Sequence, residues 1–266
     1  MNIIVCIKQI LDPEMPPAKF RIDSGSKRVV PPEGIPPVVS PYDEQAVELA
    51  IRLKEKHEGK ITVLSLGSET ASTSVKRAIA MGADEAFILA DKAFDGSDSF
   101  STAYILTKAI QKVGEYDLVL CGRQAADWDE GVVGSIIAEN LGLPLVTLAK
   151  AIEVAERELR IKRVTLEGHQ AFTVPIPVLV TVSNEVGQPR LPSGWGIISA
   201  AKKQIPVWGA ADIDADPSQV GVGAARRKLA KLFIPERERK CEIIEGEDMA
   251  EAAVKLATRL RESGVI

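Results

Sequence analysis

Ile3-Ile4-Val5-Cys6-Ile7 follows Met1-Asn2 directly, and this run decides the fold. Five consecutive apolar residues leave neither face polar, the pattern of a strand buried on both sides within a parallel sheet. Short, nearly continuous apolar runs recur at Ile61 to Leu66, Ala86 to Leu89 and Leu118 to Cys121. Helical periods separate them. Ala46, Leu49, Ala50 and Leu53 keep i, i+3, i+4, i+7 spacing with Glu48, Arg52 and Glu55 on other faces, and Ala103, Leu106, Thr107 and Ile110 repeat the stripe. Strand, helix, strand at this pitch predicts an α/β fold: a doubly wound, mostly parallel sheet with flavodoxin-like layering.

Beyond Pro144 the pattern changes. Between Glu156 and Val164, Leu159 and Ile161 alternate with Arg160 and Lys162, which predicts an antiparallel hairpin, with Gly168-His169 as the turn into Ala171-Phe172-Thr173-Val174. Val178 to Val182 is a further strand, its prolines confined to the approach. From Gly187 to Trp208 the chain reads as irregular, and Gly209 to Glu247 shows no sustained period. Met249, Ala253, Leu256 and Leu260 then form a stripe, with Arg259 and Arg261 in the last turn and Gly264 as a C-cap, so a helix closes the chain. The expected organisation is a nucleotide-binding domain over 1–208, including a loop at 187–208, and a C-terminal arm and helix over 209–266.

Composition narrows the function. Apolar residues are 45% of the 266 and charged residues 26%, enough for a full core. Lys+Arg 33 against Asp+Glu 37 gives a net charge of -4, which argues against a nucleic-acid binder. Apolar runs such as Ile176 to Val182 fall far short of the roughly 20 residues of a membrane span. Met1 leads into a strand with no basic n-region, so the expected location is cytoplasmic. Cys6, Cys121 and Cys241 are too scattered for a disulfide scaffold or a metal cluster.

The catalytic inventory is thin. His57 stands at a predicted helix end and His169 in a predicted turn; no nucleophile motif and no metal-ligand spacing accompanies them. Nucleotide binding fits better, because an open parallel sheet binds ligands at the carboxyl ends of its strands. Candidate segments are Cys6-Ile7-Lys8-Gln9, then Leu66-Gly67-Ser68, then Gly122-Arg123-Gln124-Ala125-Ala126-Asp127 ahead of a helix from about Val132. Gly122 and Gly131 admit close backbone approach, and the helix offers its N-terminus to phosphate. Asp127, Asp129 and Glu130 would repel a phosphate unless they face elsewhere, and ordinary strand-to-helix turns also carry Gly and capping acids. A fourth segment, Asp91-Lys92-Ala93-Phe94-Asp95-Gly96-Ser97-Asp98-Ser99-Phe100-Ser101-Thr102, is a long polar loop running into a helix, where Asp98 or Ser99 is a simple N-cap, or Ser97, Ser99, Ser101 and Thr102 supply hydroxyls and amides suited to a pyrophosphate.

At these residues the chain resembles the beta subunits of electron transfer flavoproteins, essentially end to end. The resemblance is carried by Val5-Cys6-Ile7-Lys8-Gln9, Ser40-Pro41-Tyr42-Asp43-Glu44-Gln45-Ala46-Val47-Glu48, Ala78-Ile79-Ala80-Met81-Gly82-Ala83-Asp84 and Gly122-Arg123-Gln124-Ala125-Ala126-Asp127, completed by Pro189-Arg190 and Ala201-Lys202-Lys203. It implies a subunit that pairs with a larger alpha subunit holding FAD, and an adenine nucleotide bound in this chain. The residues implied for that nucleotide are Cys6, Ser40, Pro41, Tyr42, Asp43, Leu66 and the loop from Gly122 through Trp128, Asp129, Gly131 and Val132 to Val133. The nucleotide is AMP in ordinary members and a second FAD, exchanging hydride with NADH, in electron-bifurcating ones. The stretch from Asp91 to Tyr104 is similar to the bifurcating branch, whereas Trp128-Asp129-Glu130-Gly131-Val132-Val133 departs from its Gly-Asp-Thr-Ala-Gln-Val.

The 187–208 stretch corresponds to the family's loop for docking dehydrogenases such as acyl-CoA dehydrogenases. Arg190, Leu191, Trp195, Ile197, Lys202 and Lys203 are its implied contacts, although Ser193-Gly194-Trp195-Gly196 replaces the usual Thr-Leu-Pro-Asn. Trp195 is either an aromatic anchor for a partner or a plug in this chain's own core. The alternatives to the carrier subunit are a standalone adenine-nucleotide regulatory module of the universal-stress type, and an enzyme with its own acid–base pair.

Overall fold

The computed structural model describes residues 1–235 and 241–266. Its elements run β1 (Asn2–Ile7), β2 (Gln9–Ile10), β3 (Arg21–Asp23), β4 (Arg28–Val30), β5 (Val38–Val39), α1 (Pro41–His57), β6 (Lys60–Leu66) and α2 (Ser72–Met81). There follow β7 (Glu85–Leu89), α3 (Ser99–Val113), β8 (Leu118–Gly122), α4 (Val133–Leu141), β9 (Leu145–Ala155), β10 (Glu158–Thr165) and β11 (Gly168–Pro175). The last are β12 (Val178–Val182), α5 (Gly194–Lys202), β13 (Val207–Trp208), α6 (Gly221–Ala224) and α7 (Met249–Glu262).

Nine strands form one sheet in the order β11-β10-β9-β12-β8-β1-β6-β7-β13, parallel from β9 through β13. β1 shows why its sequence is apolar throughout. Ile3, Val5 and Ile7 join the core beneath α1 and α2, while Ile4 and Cys6 join the core beneath α3 and α4. From β1 the chain steps outward to β6 and β7, then returns to β8 on the other side of β1. Winding therefore reverses between β1 and β8, and the loops leaving these two strands diverge to open a crevice at their carboxyl ends.

The predicted α/β fold is the observed one. The expected hairpin is there too: Leu159 and Ile161 are buried, and Arg160 and Lys162 are exposed. Its turn lies one step earlier than expected. Thr165 pairs with Gly168, so Leu166 and Glu167 turn the chain, and His169 stands in β11 rather than in a turn. β9 escapes the sequence reading because its buried residues, Val146, Ala149 and Ile152, fall three apart. The strand breaks register near Leu148, whose φ is +59°, and so loses the two-residue period.

The stretch read as irregular contains α5. Ser193 caps it, its hydroxyl accepting from the Gly196 amide at 3.0 Å. Gly194 and Gly196 depress helix propensity in its first turn, and only Ala200 is buried, so no apolar stripe advertises the helix. By packing, the chain divides into Met1–Ala230 and Lys231–Ile266. Residues 209–230, expected to belong to the arm, thus fold with the sheet: Ile213 and Val220 are buried in the α3 core, and the Asp216 amide donates to the Tyr104 hydroxyl at 3.0 Å. In the second unit, Asp248 caps α7 by accepting from the Glu251 amide at 2.8 Å, and Met249, Val254 and Leu256 are exposed. The portion of the expected arm at 236–240 lies outside the described residues.

Candidate functional site

A cavity of about 730 Å³ opens at the carboxyl ends of β1 and β8, within the roughly 300–1,000 Å³ usual for small-molecule sites. Strand ends build its floor. Cys6, Ile7 and Lys8 come from β1 and its exit, Leu66 from the end of β6, and Cys121 and Gly122 from β8. The loop before α3 contributes Gly96, Ser97, Asp98 and, in the helix itself, Ser99 and Thr102. The loop after β8 contributes Arg123, Gln124, Ala125, Trp128, Glu130, Gly131 and Val132, and leads into Val133 and Gly134 of α4.

Cys6 and Cys121 stand in register on adjacent parallel strands. Hydrogen bonding to Cys6 and burial hold the Cys121 thiol well above the usual cysteine range, so it packs as an inert wall rather than acting as a nucleophile.

Asp43 ties the floor together. It lies in the first turn of α1, and its carboxylate accepts from the Lys8 amide at 2.8 Å and the Gly122 amide at 3.0 Å. The closeness explains Gly122: a Cβ there would stand 2.4 Å from Asp43 Oδ1 and 2.8 Å from the Tyr42 carbonyl carbon. Burial pushes the Asp43 carboxyl up from 3.8 to about 7, against the pull of the two amides and of Lys8. A carboxyl more basic folded than unfolded stabilises the fold at low pH and loses that contribution as pH rises through the folded value. Between pH 5 and pH 8 the urea-derived stability of the native chain is expected to fall by about 3 kcal/mol on this account. Asp43→Asn should flatten that slope, and an unchanged slope would contradict the assignment.

Of the three acids that sequence logic places against a phosphate, Asp127 and Glu130 are paired with cations and Asp129 is hydrogen-bonded to a neutral amide. Asp127 pairs with Lys8 Nζ at 2.7 Å, and Asp129 accepts from Gln124 Nε2 at 2.7 Å. Glu130 accepts from the Ser99 hydroxyl and lies 2.9 Å from Arg227 Nη1. Gly131, at φ +66°, supplies the left-handed turn that brings the chain into α4. No side chain caps α4, so the amides of its first turn stand at the cavity wall where a phosphate oxygen would sit. Paired Asp127 and Glu130, uncapped amides and this volume suit a phosphate-bearing ligand.

Asp98 has another task than the expected pyrophosphate contact. One oxygen accepts from the Phe100 and Ser101 amides at 3.0 Å, capping α3; the other accepts from the Arg226 and Arg227 amides at 2.7 and 2.9 Å. Burial opposes the charge, but these four amides hold the carboxyl below the usual aspartate range. Ser97 likewise accepts from the Gly221 amide at 3.1 Å. The 221–230 segment is thereby strapped across the α3 end of the cavity, and Arg227, Lys228, Leu229 and Ala230 line it. No motif marks these residues in the sequence, nor Leu106 and Gly134, which also line the cavity, whereas Ser99 belongs to the expected fourth segment.

Other expected nucleotide residues stand behind the lining. Ser40 Oγ accepts from the Ala126 amide at 3.4 Å, Pro41 opens α1, and the Tyr42 ring lies 5.7 Å from the Arg123 guanidinium. The Gly67 amide donates to Leu89. Asp95 ends a short turn ahead of α3, and the Ser101 hydroxyl is buried without a protein partner. Among the described residues no group of three or more His, Cys, Asp or Glu is placed to hold a metal, and no helix is long and apolar enough to cross a membrane.

A family profile described as the electron transfer flavoprotein domain matches residues 29–213. Over its whole length, and the whole length of the relative, the chain is 40% identical to the electron transfer flavoprotein subunit beta of Thermoanaerobacterium thermosaccharolyticum. The chain belongs to the electron transfer flavoprotein beta-subunit family. Two further relatives, again covered completely on both sides, are subunit beta of Clostridium acetobutylicum at 37% and the caffeyl-CoA reductase-Etf complex subunit CarD of Acetobacterium woodii at 34%.

In this flavoprotein beta subunit the expected docking residues divide by environment. Leu191, Trp195 and Ile197 are exposed, Trp195 at 82%, so Trp195 is not a plug in the chain's own core. Lys202 ends α5 exposed, and Lys203 Nζ donates to the Asp84 carbonyl. Arg190 is engaged within the chain, its guanidinium bonded to Glu48 and Glu55 of α1.

Proposed function

We propose that this chain is the beta subunit of a heterodimeric electron transfer flavoprotein and holds an adenine nucleotide, AMP or a second FAD, in the cavity between β1 and β8. The observation that carries this reading is the cavity's place at the winding reversal, with Asp127 and Glu130 paired to cations and the first turn of α4 uncapped. The bound flavin supplies the electron-transfer chemistry, including hydride exchange with NADH where a second FAD is present, and the protein supplies binding, orientation and electrostatics. The α4 amides bind the phosphate, the Asp43 bridge fixes the spacing of the β1 and β8 exits, and the buried Cys6 and Cys121 wall keeps water from the floor.

The 231–266 unit docks on the alpha subunit through the exposed apolar side of α7, and the α5 region meets the partner dehydrogenase. The name of CarD ties that relative to a caffeyl-CoA reductase, which supports a dehydrogenase of the acyl-CoA class as the partner here. Acid denaturation of the purified heterodimer and chromatography of what it releases tests the nucleotide. AMP with one flavin, or two flavins without AMP, supports the reading; one flavin and no second nucleotide refutes it. Trp195→Ala is expected to slow electron exchange with the dehydrogenase about tenfold or more, as loss of an aromatic anchor does, while stability changes by less than about 0.5 kcal/mol. Stopped-flow reduction and thermal melting measure the two, and an unchanged rate contradicts docking through α5.

A further inference from the structure

The charges around the cavity assign its selectivity for phosphate, an inference that rests on the nucleotide reading above. Three carboxylates line it: Asp43, Asp98 and Glu130. Backbone amides hold the first two, two on Asp43 and four on Asp98. Glu130 is held only by side chains, the Ser99 hydroxyl and the Arg227 guanidinium.

The lining cations are Lys8, Arg123, Arg227 and Lys228, the last following Arg227 along the strap. Lys8 Nζ is paired with Asp127, and Arg123 lies beside Tyr42 with its Nε directed at Gln124 Oε1. Arg226, next along the strap, turns to the Phe100 ring at 4.7 Å. Arg227 combines a fixed root with a free head. Its backbone amide is anchored on Asp98 at 2.9 Å, while its side chain is 58% exposed and meets Glu130 through one ion pair. An ion pair that exposed is weak. A phosphate offers a guanidinium two parallel charge-assisted bonds, and so outcompetes a singly bonded carboxylate.

We propose that Arg227 is the phosphate-selecting residue of this cavity and that Glu130 is its internal competitor. With an adenosine-linked phosphate present, the guanidinium turns from Glu130 to the phosphate, and Ser99 retains Glu130. The cavity thereby takes nucleotides over nucleosides, whether the phosphate belongs to AMP or to the adenylate half of FAD.

Isothermal titration of the full-length chain, freed of nucleotide, with adenosine, AMP and FAD tests this. Loss of a charged hydrogen-bonded pair predicts that Arg227→Gln binds the phosphate-bearing ligand about tenfold or more weakly, with adenosine changed less than about twofold. Glu130→Gln, which removes the competitor, is expected to bind that ligand several-fold more tightly, and added salt should erode the native preference more than that of Arg227→Gln. The arm that responds, AMP or FAD, identifies the source of the phosphate, and either response supports the inference. An unchanged AMP-to-adenosine ratio in Arg227→Gln, equal loss of both ligands, or weaker AMP binding by Glu130→Gln overturns it. A native chain that binds none of the three overturns the nucleotide reading itself, and this inference with it.

Discussion

Asp98→Ala is expected to destabilise the chain by about 3 kcal/mol and to release the strap from the cavity. The size follows from the four amides that one carboxylate satisfies. Loss of the α3 N-cap costs about 1 kcal/mol, and the two exposed strap amides add about 1 kcal/mol each, the usual net worth of a hydrogen bond. Hydrogen exchange should locate the effect, with the Arg226 and Arg227 amides losing protection along with the first turn of α3. The pH dependence has a definite sign. A carboxyl held below its unfolded value stabilises the fold above about pH 4 and loses that contribution as pH falls through its folded value. Stability of the native chain should therefore drop more steeply below pH 4 than that of Asp98→Ala. Equal acid profiles and unaltered strap protection would show that the strap is held some other way.

Arg190→Ala is expected to cost about 3 kcal/mol as well, for a different reason. Glu48 is buried in α1, with its side chain 4% exposed, and Arg190 and Arg52 are its charged partners. Burial opposes its charge, and bonds from Arg190 and Arg52 hold the carboxyl below its usual range. Removing Arg190 leaves a buried carboxylate with the part-exposed Arg52 alone, and breaking a buried pair from one side is strongly destabilising. Glu48→Leu in the same chain should recover much of the loss, because an apolar replacement of the whole pair leaves no orphaned charge. Denaturation of both variants measures this. If Arg190→Ala instead melts like the native chain and only slows exchange with the dehydrogenase, Arg190 acts at the docking surface rather than as a tie.

Local pattern accounts for what the sequence disclosed of the fold. Strands buried on both faces, such as β1, read as apolar runs whatever surrounds them, and Leu159 and Ile161 show their alternation because one side of β10 faces water. β9 was hidden by the irregularity at Leu148, and α5 by the glycines of its first turn. At the site, the residues next to strand ends were legible, because sheet topology fixes where strand ends go: Cys6, Lys8, Leu66 and Gly122 to Ala125 all line the cavity. The partners of the acids were not. Asp127 meets Lys8 and Glu130 meets Arg227 across long stretches of chain, so no spacing announces either pair. The same holds for Asp98, whose neighbours suggest a ligand loop while its carboxylate is occupied by the chain itself.

The adenine nucleotide we propose lies at the carboxyl edge of the sheet, at β1 and β8. The most direct measurement is an experimental structure of the chain purified with its alpha subunit, read for density at that crevice. An adenosine phosphate is expected between the 96–102 and 122–133 loops, with its phosphate at the first turn of α4. Density showing the crevice closed by this chain's own side chains, with the nucleotide bound elsewhere, would contradict it.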